Sequence, residues 1–391
     1  MTVDPADWLD RPGVRRLLLA LDAEHGHARF VGGAVRDLLS GEHPVDLDLA
    51  TTHQPDEVVA RLQAAGIKAI PTGIAHGTVT AVSSGTMVEV TTLRADLTTD
   101  GRRATVAFTD DWKADAARRD FTINALYADP LTGELFDYWG GLDDLSARRV
   151  RFIGEPLQRI AEDHLRILRY FRFHARYGSG SPDPAALAAC VARANDLMAL
   201  SRERIADELL KLLSLPDPEP TVRLMHQSGL FEPVLPEIST VERLAHLIAA
   251  ENEAGIARDP LRRLAALLPA DPDLADRVAA RLKLSNKARK RLSLAADRLE
   301  KLAPRPMAYR LGTEAAVDRL LLTDQPSEAA QIVGWTLPRL PISGGQLIAR
   351  GVAQGPDVAR TLRQIEDAWE DSGFPDGAAF EAIVLAALSN D

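Results

Sequence analysis

The hydrophobic periodicity of the chain changes once, and this change constrains the fold more than any other feature. Three runs in the first third, "VDLDLA", "TVTAVSS" and "TMVEVTTLR", alternate apolar and polar residues and are rich in β-branched residues. This pattern predicts strands, and "PDEVVARLQAAG" predicts a helix that ends at Gly66. From Arg159 onward the apolar residues recur every three to four positions, which predicts helices. We therefore expect an α+β domain, with a mixed sheet and helices, followed by an all-α region.

Composition restricts the class of protein. The chain has 391 residues, of which 46% are hydrophobic and 26% are charged, as in soluble globular proteins. It contains no apolar run of about 18 residues, so we expect no membrane partner. The one cysteine, Cys190, argues against an internal disulfide framework and a cysteine-based zinc site, and it favours a cytoplasmic location.

The charge is unevenly distributed. A net charge of -10 by itself argues against a nucleic-acid partner, and we expect no binding to DNA. Residues 275–311, however, carry eleven Lys and Arg against three Asp and Glu. A solvated helix face accounts for most isolated basic runs. The alternative is a surface that contacts nucleic-acid phosphates, with an affinity that falls as salt rises.

Two aspartates, Asp46 and Asp48, are separated by one residue in a predicted strand. Residues i and i+2 of a strand share a face, so both carboxylates would project to one side while Val45 and the two leucines face a core. Neighbouring carboxylates repel each other unless a cation lies between them, and Mg²⁺ prefers such hard oxygen ligands. An exposed polar strand face is the common alternative. Glu89, in the middle of another predicted strand, would supply a third carboxylate.

A glycine pair precedes these acids. Gly32 and Gly33 connect a short predicted strand to a helix, and such glycines let the backbone approach a ligand closely. Helix N-termini bind phosphate, and Arg36 in the first helical turn would add a positive charge. A strand-to-helix turn without a ligand is the alternative. Because the glycine turn, the arginine and the acid pair lie so close in the sequence, they predict a site for a triphosphate and its metal.

These features together predict metal-assisted phosphoryl or nucleotidyl transfer. Two ions held by three carboxylates would activate an attacking hydroxyl and neutralise the leaving pyrophosphate. The sequence contains neither the G-x-S-x-G motif of serine hydrolases nor the G-x-x-x-x-G-K-[ST] motif of P-loop proteins. Neither a serine hydrolase nor a P-loop enzyme is therefore supported.

The helical stretch "EDHLRILRYFRFHAR" carries an arginine stripe. Its polar residues recur at spacings of three and four, which would place them on one helical face. They are Asp163, Arg166, Arg169, Arg172 and Arg176. An amphipathic helix whose arginines are offset by nearby acids is the alternative. Beside a phosphate site, the stripe would form an electropositive wall for a polyanionic substrate.

Asp163 and Arg166 indicate a way to select a base. A carboxylate only accepts hydrogen bonds and a guanidinium only donates them. Side by side, they complement the edge of cytosine or adenine, where an amine lies next to a ring-nitrogen acceptor. Guanine and uracil present the reverse arrangement. One Asp–Arg pair would therefore admit C and A, and reject G and U, without a nucleic-acid template.

Five motifs occur in the order seen in class II template-independent tRNA nucleotidyltransferases, the CCA-adding enzymes, and the chain resembles this family. They are "VGGAVRDLLSG" with "DLDLA", "RRDFTINALYAD", "FDYWGGLDDL", "EDHLRILRYFRF" and "RERIADELLKLL". Bacterial poly(A) polymerases share most of them. The resemblance is weaker over the helical remainder, although "PISGGQLIARGVAQGPDVARTLRQIEDAW" is similar to the family's tail.

The resemblance implies four segments. They are a nucleotidyltransferase head at 1–145, a base-selecting neck at 146–215, a body at 216–300 and a tRNA-binding tail at 301–391. It also implies CTP and ATP as substrates, Mg²⁺ as the metal, pyrophosphate as a product and the 3′ end of tRNA as the acceptor. The stretch 93–108, which includes Arg94, is similar to the family's mobile loop and favours addition of the full CCA end.

The resemblance also implies roles for individual residues. Asp46 and Asp48 would bind the metal and, with Glu89 as a looser match, form the catalytic set. The nucleotide-binding residues would be Gly32, Gly33, Arg36, Arg119, Asp120, Asn124, Asp163, Arg166, Arg169 and Arg172. In the basic segment, the residues expected to contact tRNA phosphates are Lys283, Lys287, Arg289, Lys290 and Arg291.

Three alternatives to a complete CCA-adding enzyme stay open from the sequence. A poly(A) polymerase shares most of the motifs, and a partial enzyme would add only the cytidines or only the adenosine. A non-catalytic RNA-binding protein would keep the basic segment but would not need the acid pair.

Overall fold

A computed structural model describes residues 2–100, 103–298 and 302–389, with 96–100 and 103–106 described by their backbone alone. The chain divides into two compact units. The first comprises residues 1–215 and 227–234, and the second comprises 216–226 and 235–391. The expected division into four segments is finer and stays a prediction; its boundary at 300/301 lies outside the described residues. Among the helices described, none is long and apolar enough to cross a bilayer.

The first unit contains a seven-stranded sheet and a two-stranded ribbon. The strands are β1 (Ala28–Val31), β2 (Leu47–Thr51), β3 (Lys68–Gly73), β4 (Thr78–Ser83), β5 (Thr86–Thr92), β6 (Arg94–Asp100), β7 (Arg103–Phe108), β8 (Leu126–Ala128) and β9 (Leu135–Asp137). The sheet order is β3-β4-β5-β2-β1-β8-β9, and only the β2–β5 pair is parallel. The predicted mixed sheet is confirmed.

Helices accompany this sheet and make up the second unit. Those of the first unit are α1 (Ala6–Leu9), α2 (Val14–Ala20), α3 (Gly33–Leu39), α4 (Pro55–Ala64), α5 (Trp112–Ala117), α6 (Gly141–Ser146), α7 (Pro156–Glu162), α8 (Arg166–Tyr177), α9 (Pro184–Ala192) and α10 (Arg202–Leu213). Those that follow are α11 (Glu219–Gln227), α12 (Glu242–Glu253), α13 (Pro260–Leu267), α14 (Pro272–Arg281), α15 (Asn286–Ala296), α16 (Pro304–Leu311), α17 (Thr313–Leu322), α18 (Pro326–Ile332), α19 (Gly344–Ala349), α20 (Pro356–Asp371) and α21 (Gly377–Ser389). The described part of the second unit is all-α, as predicted.

The two faces of the sheet differ in what they carry. On one face, the leucines of β2 and the valines of β5 pack with α2 and α4 in the main core. Each such buried side chain contributes roughly 1.5–3 kcal/mol to stability. Because successive side chains of a strand alternate, Asp48 of β2 and Glu89 of β5 project from the opposite face. Core packing on one face thereby determines where the acids point.

Val45 does not follow this alternation. It was expected in the core, but its side chain is 87% exposed. The reason is that β2 begins only at Leu47, so Val45 and Asp46 lie in a bend ahead of the strand. The predicted burial of Val45 is wrong.

Two further segments differ from expectation. The stretch 93–108, expected as a loop, contains the antiparallel strands β6 and β7, and its residues 101–102 lie outside the described part. The arginine-rich stretch is two helices, because α7 ends at Glu162 and α8 begins at Arg166. Asp163 between them has an extended backbone, with φ -153° and ψ 106°. The spacing had predicted that Asp163 shares a helical face with the arginines. This prediction is wrong, because Asp163 lies between the two helices.

Candidate active site

A polar cavity of about 370 Å³ lies in the first unit. It brings together nine of the ten predicted nucleotide-binding residues; the exception is Arg172. The residues lining it are Gly32, Gly33, Arg36, Asp48, Arg118, Arg119, Asp120, Asn124, Asp163, Arg166, Arg169 and Phe173. Five of these are arginines and three are aspartates. This charge distribution suits a polyanionic ligand whose other end is neutral and polar.

Of the three predicted carboxylates, Asp48 lines this cavity, whereas Asp46 and Glu89 do not. Asp48 and Glu89 are register partners across the parallel strands β2 and β5. Burial, together with the charges of Glu89 and Asp46, raises the pKa of Asp48 to about 6. The nearby Arg119 and Arg36 act in the opposite direction but do not cancel this effect. The negative charges of Glu89 and Asp46 therefore act on Asp48. Asp46 lies in the bend ahead of β2, however, so the expectation that it shares a strand face with Asp48 is wrong.

The glycine turn faces two of the arginines. Gly32 has φ 64° and ψ -119°, a conformation that side chains other than that of glycine rarely adopt. A Cβ atom here would lie 3.4 Å from Nη1 of Arg119. Arg36, only 7% exposed, donates hydrogen bonds to the amide oxygen of Asn124 and, at 2.7 Å, to the carboxylate of Asp37. The turn and the Arg36 guanidinium are thus held in one arrangement.

Asp120 and Asn124 link the sheet domain to helix α8. One carboxylate oxygen of Asp120 accepts from the Asn124 amide at 2.9 Å, and the other accepts from the Arg169 guanidinium at 2.5 and 2.8 Å. Burial alone would raise the pKa of Asp120, but Arg169 and Asn124 outweigh it and lower the pKa. Both oxygens are therefore engaged within the protein. This geometry gives Asp120 the role of orienting Asn124 and Arg169.

Arg172 has a different environment. Its Nε donates to Glu208 of α10 at 2.6 Å, and that carboxylate is only 3% exposed. Arg172 does not line the cavity. A nucleotide role for Arg172 stays a prediction, and the structure gives it a packing role between α8 and α10.

The two residues expected to read the base both line the cavity, but they do not pair with each other. Asp163 accepts from Arg204 at 2.9 and 3.1 Å. Arg166 donates to Glu162 at 2.5 Å and to the carbonyl oxygen of Arg118 at 3.2 Å. Each side chain is thus oriented by its own partner. The cavity thus contains a carboxylate and a guanidinium that are held by separate partners.

The predicted RNA-contacting residues lie in the second unit, at and near α15. Lys283, Lys287 and Lys290 are exposed. Arg289 pairs with Asp276 at 2.6 Å in an exposed ion pair. Arg291 differs from these, because its guanidinium lies between Asp318 at 2.6 Å and Asp259 at 2.9 Å and is 13% exposed. We therefore remove Arg291 from the expected phosphate contacts, since its charge is used inside the unit.

Asp48 and the two acids whose charges act on it have the ligand chemistry that a divalent cation prefers. Asp46, Asp48 and Glu89 offer hard oxygen ligands, and burial, together with the charges of Glu89 and Asp46, is what raises the pKa of Asp48. Among the described residues, three such ligand atoms lie within 4.8 Å of one another only in a different group, Asp22 with its two neighbours at 24 and 25. None of that group lines the cavity, so it is not part of this site.

Sequence reasoning missed several side chains that orient the site. Arg204 and Glu162 hold the two residues expected to read the base, and Asp37 holds Arg36. Phe173 lines the cavity and lies under the Arg36 guanidinium, 5.1 Å from the ring centre. In the sequence, "VRD" places Asp37 next to Arg36, and "AED" places Glu162 next to Asp163. The sequence does not show which arginine each of these acids binds.

Comparisons with known proteins give two matching family models. The family model of the poly A polymerase head domain matches residues 28–151. A second model, described as the probable RNA and SrmB-binding site of polymerase A, matches residues 181–241. The first unit thus carries the head of a nucleotidyltransferase.

Relatives define the family more narrowly. The mitochondrial CCA tRNA nucleotidyltransferase 1 of Mus musculus is 36% identical over 93% of this chain and 87% of its own length. The CCA-adding enzyme of Lacticaseibacillus paracasei is 32% identical over 96% of each chain. The crystal structure of the Bacillus stearothermophilus CCA-adding enzyme in complex with CTP is similar with a TM-score of 0.77 and 28% identity, covering 97% of this chain and 99% of its own. The chain belongs to the family of CCA-adding tRNA nucleotidyltransferases, and membership implies a divalent metal.

Proposed function

We propose that this chain adds CMP and AMP, taken from CTP and ATP, to the 3′ end of tRNA without a template and releases pyrophosphate. The observation that carries the proposal is one cavity that has Asp48, with the charges of Glu89 and Asp46 acting on it, and the separately held Asp163 and Arg166 among its lining. Such a cavity has an end suited to phosphates and an end suited to a base. The resemblance and the relatives support the same reaction.

The triphosphate end is supplied by the glycine turn and two arginines. Arg36 and Arg119 are held by neighbouring side chains, so little ordering is needed when a polyphosphate binds. Gly32 permits close approach of the backbone, because no side chain projects there. Preorganised positive charge of this kind stabilises the charge that develops on the leaving pyrophosphate.

The metal we assign to the acids is Mg²⁺. Asp46 and Asp48 would hold it, with Glu89 as the third carboxylate. When bound, it would neutralise phosphate charge and activate the attacking 3′ hydroxyl. The protein's own contribution is to keep Asp48 and Glu89 adjacent through the β2–β5 register and to orient the arginines opposite them.

The base end selects C and A by hydrogen bonding. The Asp163 carboxylate would accept from the exocyclic amine, and the Arg166 guanidinium would donate to the ring nitrogen. Arg204 and Glu162 keep these two groups in place before the nucleotide arrives. A base with the reverse pattern, G or U, would meet a donor facing a donor and an acceptor facing an acceptor.

The second unit would bind the acceptor RNA through phosphates. Lys283, Lys287 and Lys290 are exposed on and near α15, and Arg289 could exchange its exposed Asp276 partner for a phosphate. RNA helices are recognised mainly by shape and backbone, which suits a patch of lysines. We propose the cytoplasm as the location; the name of the mouse relative places that protein in the mitochondrion.

The experiment that tests the proposal uses tRNA lacking its CCA end, with labelled CTP and ATP in the presence of Mg²⁺. The expected product is extended by C, C and A and then stops. Long products from ATP alone, with little RNA preference, would identify a poly(A) polymerase instead. Extension by two cytidines or one adenosine would identify a partial enzyme. Binding of tRNA with no incorporation would identify a non-catalytic RNA-binding protein.

A further inference from the structure

A buried carboxylate on α5, outside the set assigned above, gathers hydrogen bonds from several parts of the first unit. Asp115 is 1% exposed. It accepts from Nε of Arg118 at 2.8 Å, from Nη2 of Arg119 at 3.1 Å and from the Tyr127 hydroxyl at 2.7 Å. It also accepts from the backbone N–H of Arg94, the first residue of β6, at 3.1 Å. One carboxylate thus connects α5, β8 and the start of the β6–β7 ribbon.

This carboxylate is charged under ordinary conditions. Burial alone would raise the pKa of Asp115, but Arg119 and Arg118 outweigh it and lower the pKa to about 2. The hydrogen bonds it accepts are therefore charge-assisted, which makes them stronger and more directional than neutral ones. A buried charge of this kind restrains the groups that surround it.

The restraint acts on one edge of the Arg119 guanidinium. Its Nη2 donates to Asp115, and its Nε donates to the Tyr127 hydroxyl at 3.2 Å. The remaining nitrogen, Nη1, lies beside the Gly32 turn, where an added Cβ atom would approach it to 3.4 Å. The protein thus holds Arg119 by one edge and directs the other edge toward the cavity.

We propose that Asp115 is a positioning residue for the nucleoside triphosphate: it holds Arg119, with the help of Tyr127, in the orientation that receives the phosphates. This inference rests on the proposed function, since it needs a triphosphate in the cavity. Asp115 itself does not line the cavity and acts through Arg119. Its bond to the Arg94 N–H joins the same site to the base of the β6–β7 ribbon.

The inference makes a distinct prediction about the two substrates. Arg119 is assigned to the triphosphate, which CTP and ATP share, and not to the base. A change at Asp115 should therefore weaken CTP and ATP equally, whereas a change at Asp163 should alter the choice between bases. Equal loss for both nucleotides is the signature of the positioning role.

A matched control is available in the same unit. Asp144 is fully buried and accepts from Arg149, Arg151 and the Thr122 hydroxyl at 2.6–2.7 Å. It resembles Asp115 in burial and in having two arginine partners, but neither Asp144 nor those arginines line the cavity. Asp144→Asn should lower the melting temperature and leave nucleotide binding unchanged.

The experiment measures the CTP and ATP dissociation constants by calorimetry, and kcat and KM for addition to tRNA, in the full chain with Mg²⁺. Asp115→Asn should raise Kd and KM about tenfold for both nucleotides, as loss of a charge-assisted hydrogen bond does. Tyr127→Phe should act in the same direction by roughly threefold, since it leaves the ion pair intact. Asp115→Glu should recover part of the affinity.

The measured stabilities and dissociation constants distinguish failure of the positioning role of Asp115 from failure of the proposed function. If Asp115→Asn and Asp144→Asn lose stability alike and both keep the wild-type Kd, Asp115 is only structural and the inference is overturned. If Asp115→Asn does not fold, Tyr127→Phe and Asp115→Glu decide, and an unchanged Kd in both overturns it. A wild-type chain that binds neither CTP nor ATP would instead refute the proposed function.

Discussion

Asp48 and Glu89 lie directly opposite each other on the parallel strands β2 and β5, on the face of the sheet opposite the main core. Like charges in register destabilise a sheet. The arrangement therefore costs the fold stability unless a cation binds there. Burial, with the charges of Glu89 and Asp46, raises the pKa of Asp48 to about 6. The raised pKa shows that the ionised form of Asp48 is destabilised in the folded chain.

The first prediction concerns stability in the absence of metal. The folded-state pKa of Asp48 is above its ordinary value of 3.8, so the folded chain binds this proton more tightly than the unfolded chain does. Stability is therefore lost as pH rises from about 4 to 6 and stays low above that range. Asp48→Asn removes this loss. In chelator at pH 8 the variant should be more stable than wild type by at most about 3 kcal/mol, and by about half of that at pH 5.

Thermal or urea unfolding at the two pH values measures this difference. Millimolar Mg²⁺ should stabilise wild type and have little effect on Asp48→Asn, which would reverse or remove the advantage of the variant. A variant that is less stable than wild type in chelator at pH 8 would show that the acids do not repel each other as described.

The second prediction concerns the glycine turn. Gly32→Ala should destabilise the fold by about 1–3 kcal/mol, because its backbone conformation is strained for a residue with a side chain. The new methyl group would also contact Nη1 of Arg119. We expect KM for CTP and ATP to rise by about tenfold or more, because a small displacement of a positioned group is costly.

Gly41→Ala is the matched control for this change. Gly41 also has a positive φ, 78°, but an added Cβ atom there would meet nothing within 4 Å. It should lose stability without a change in KM. Equal KM values for wild type and Gly32→Ala would contradict the assignment of this turn to the triphosphate.

The third prediction concerns the choice of base. Asp163→Ala combined with Arg166→Ala should relax selection, so that incorporation of GMP and UMP rises relative to CMP and AMP. A bidentate pair provides about 1–3 kcal/mol of discrimination, so the preference should fall roughly tenfold to a hundredfold. Incorporation on tRNA from each labelled nucleotide alone measures it.

Asp207→Ala is the control, because Asp207 is an exposed carboxylate on α10 that pairs with Lys211 outside the cavity. It should keep the wild-type preference. An unchanged preference for CTP and ATP in the Asp163 and Arg166 double variant would refute base reading by this pair.

The fourth prediction concerns RNA binding by the second unit. Replacing Lys283, Lys287 and Lys290 by alanine should weaken tRNA binding and lower the slope of log affinity against log salt by about 2 to 3. The thermal stability should change little, because these side chains are exposed. Titrations of tRNA at several salt concentrations measure the slope.

Arg291→Ala should behave in the opposite way. The substitution removes one of the arginines that pair with the fully buried Asp318. A stability loss of about 3 kcal/mol is therefore expected. The salt slope should match wild type wherever the variant is folded. A lowered salt slope with normal stability in Arg291→Ala would show that Arg291 contacts RNA after all. An unchanged slope in the triple lysine variant would show that the three lysines do not contact RNA.

Much of this fold could be predicted from periodicity alone. Alternation in "VDLDLA" and "TMVEVTTLR" places Asp48 and Glu89 on the face opposite the main core because a strand has only two faces. The same rule failed for Val45, because the strand starts two residues later and nothing local marks its first residue. Helical spacing likewise missed the break at Asp163, whose extended backbone separates α7 from α8.

The partners of the site residues could not be predicted in this way. Arg204 lies forty-one positions from Asp163, and Asp37 binds Arg36 and the Tyr177 hydroxyl, 140 positions away, at the same time. Such contacts depend on how distant helices pack, and a single sequence carries no record of it. The burial of Arg291 could not be predicted from the sequence either. Its basic neighbours in sequence are exposed, whereas Arg291 pairs with Asp318 inside the second unit.

The central claim is that Asp46 and Asp48 are needed for the chemical step and not for the binding of tRNA. The most direct test measures CMP and AMP incorporation on tRNA lacking its CCA end by wild type, Asp46→Ala and Asp56→Ala. Asp56→Ala is the control, because Asp56 is an exposed acid of α4 that does not line the cavity. The account predicts three-nucleotide extension by wild type and the control, and no extension by Asp46→Ala, which should still bind tRNA. Extension by Asp46→Ala at the wild-type rate would contradict it.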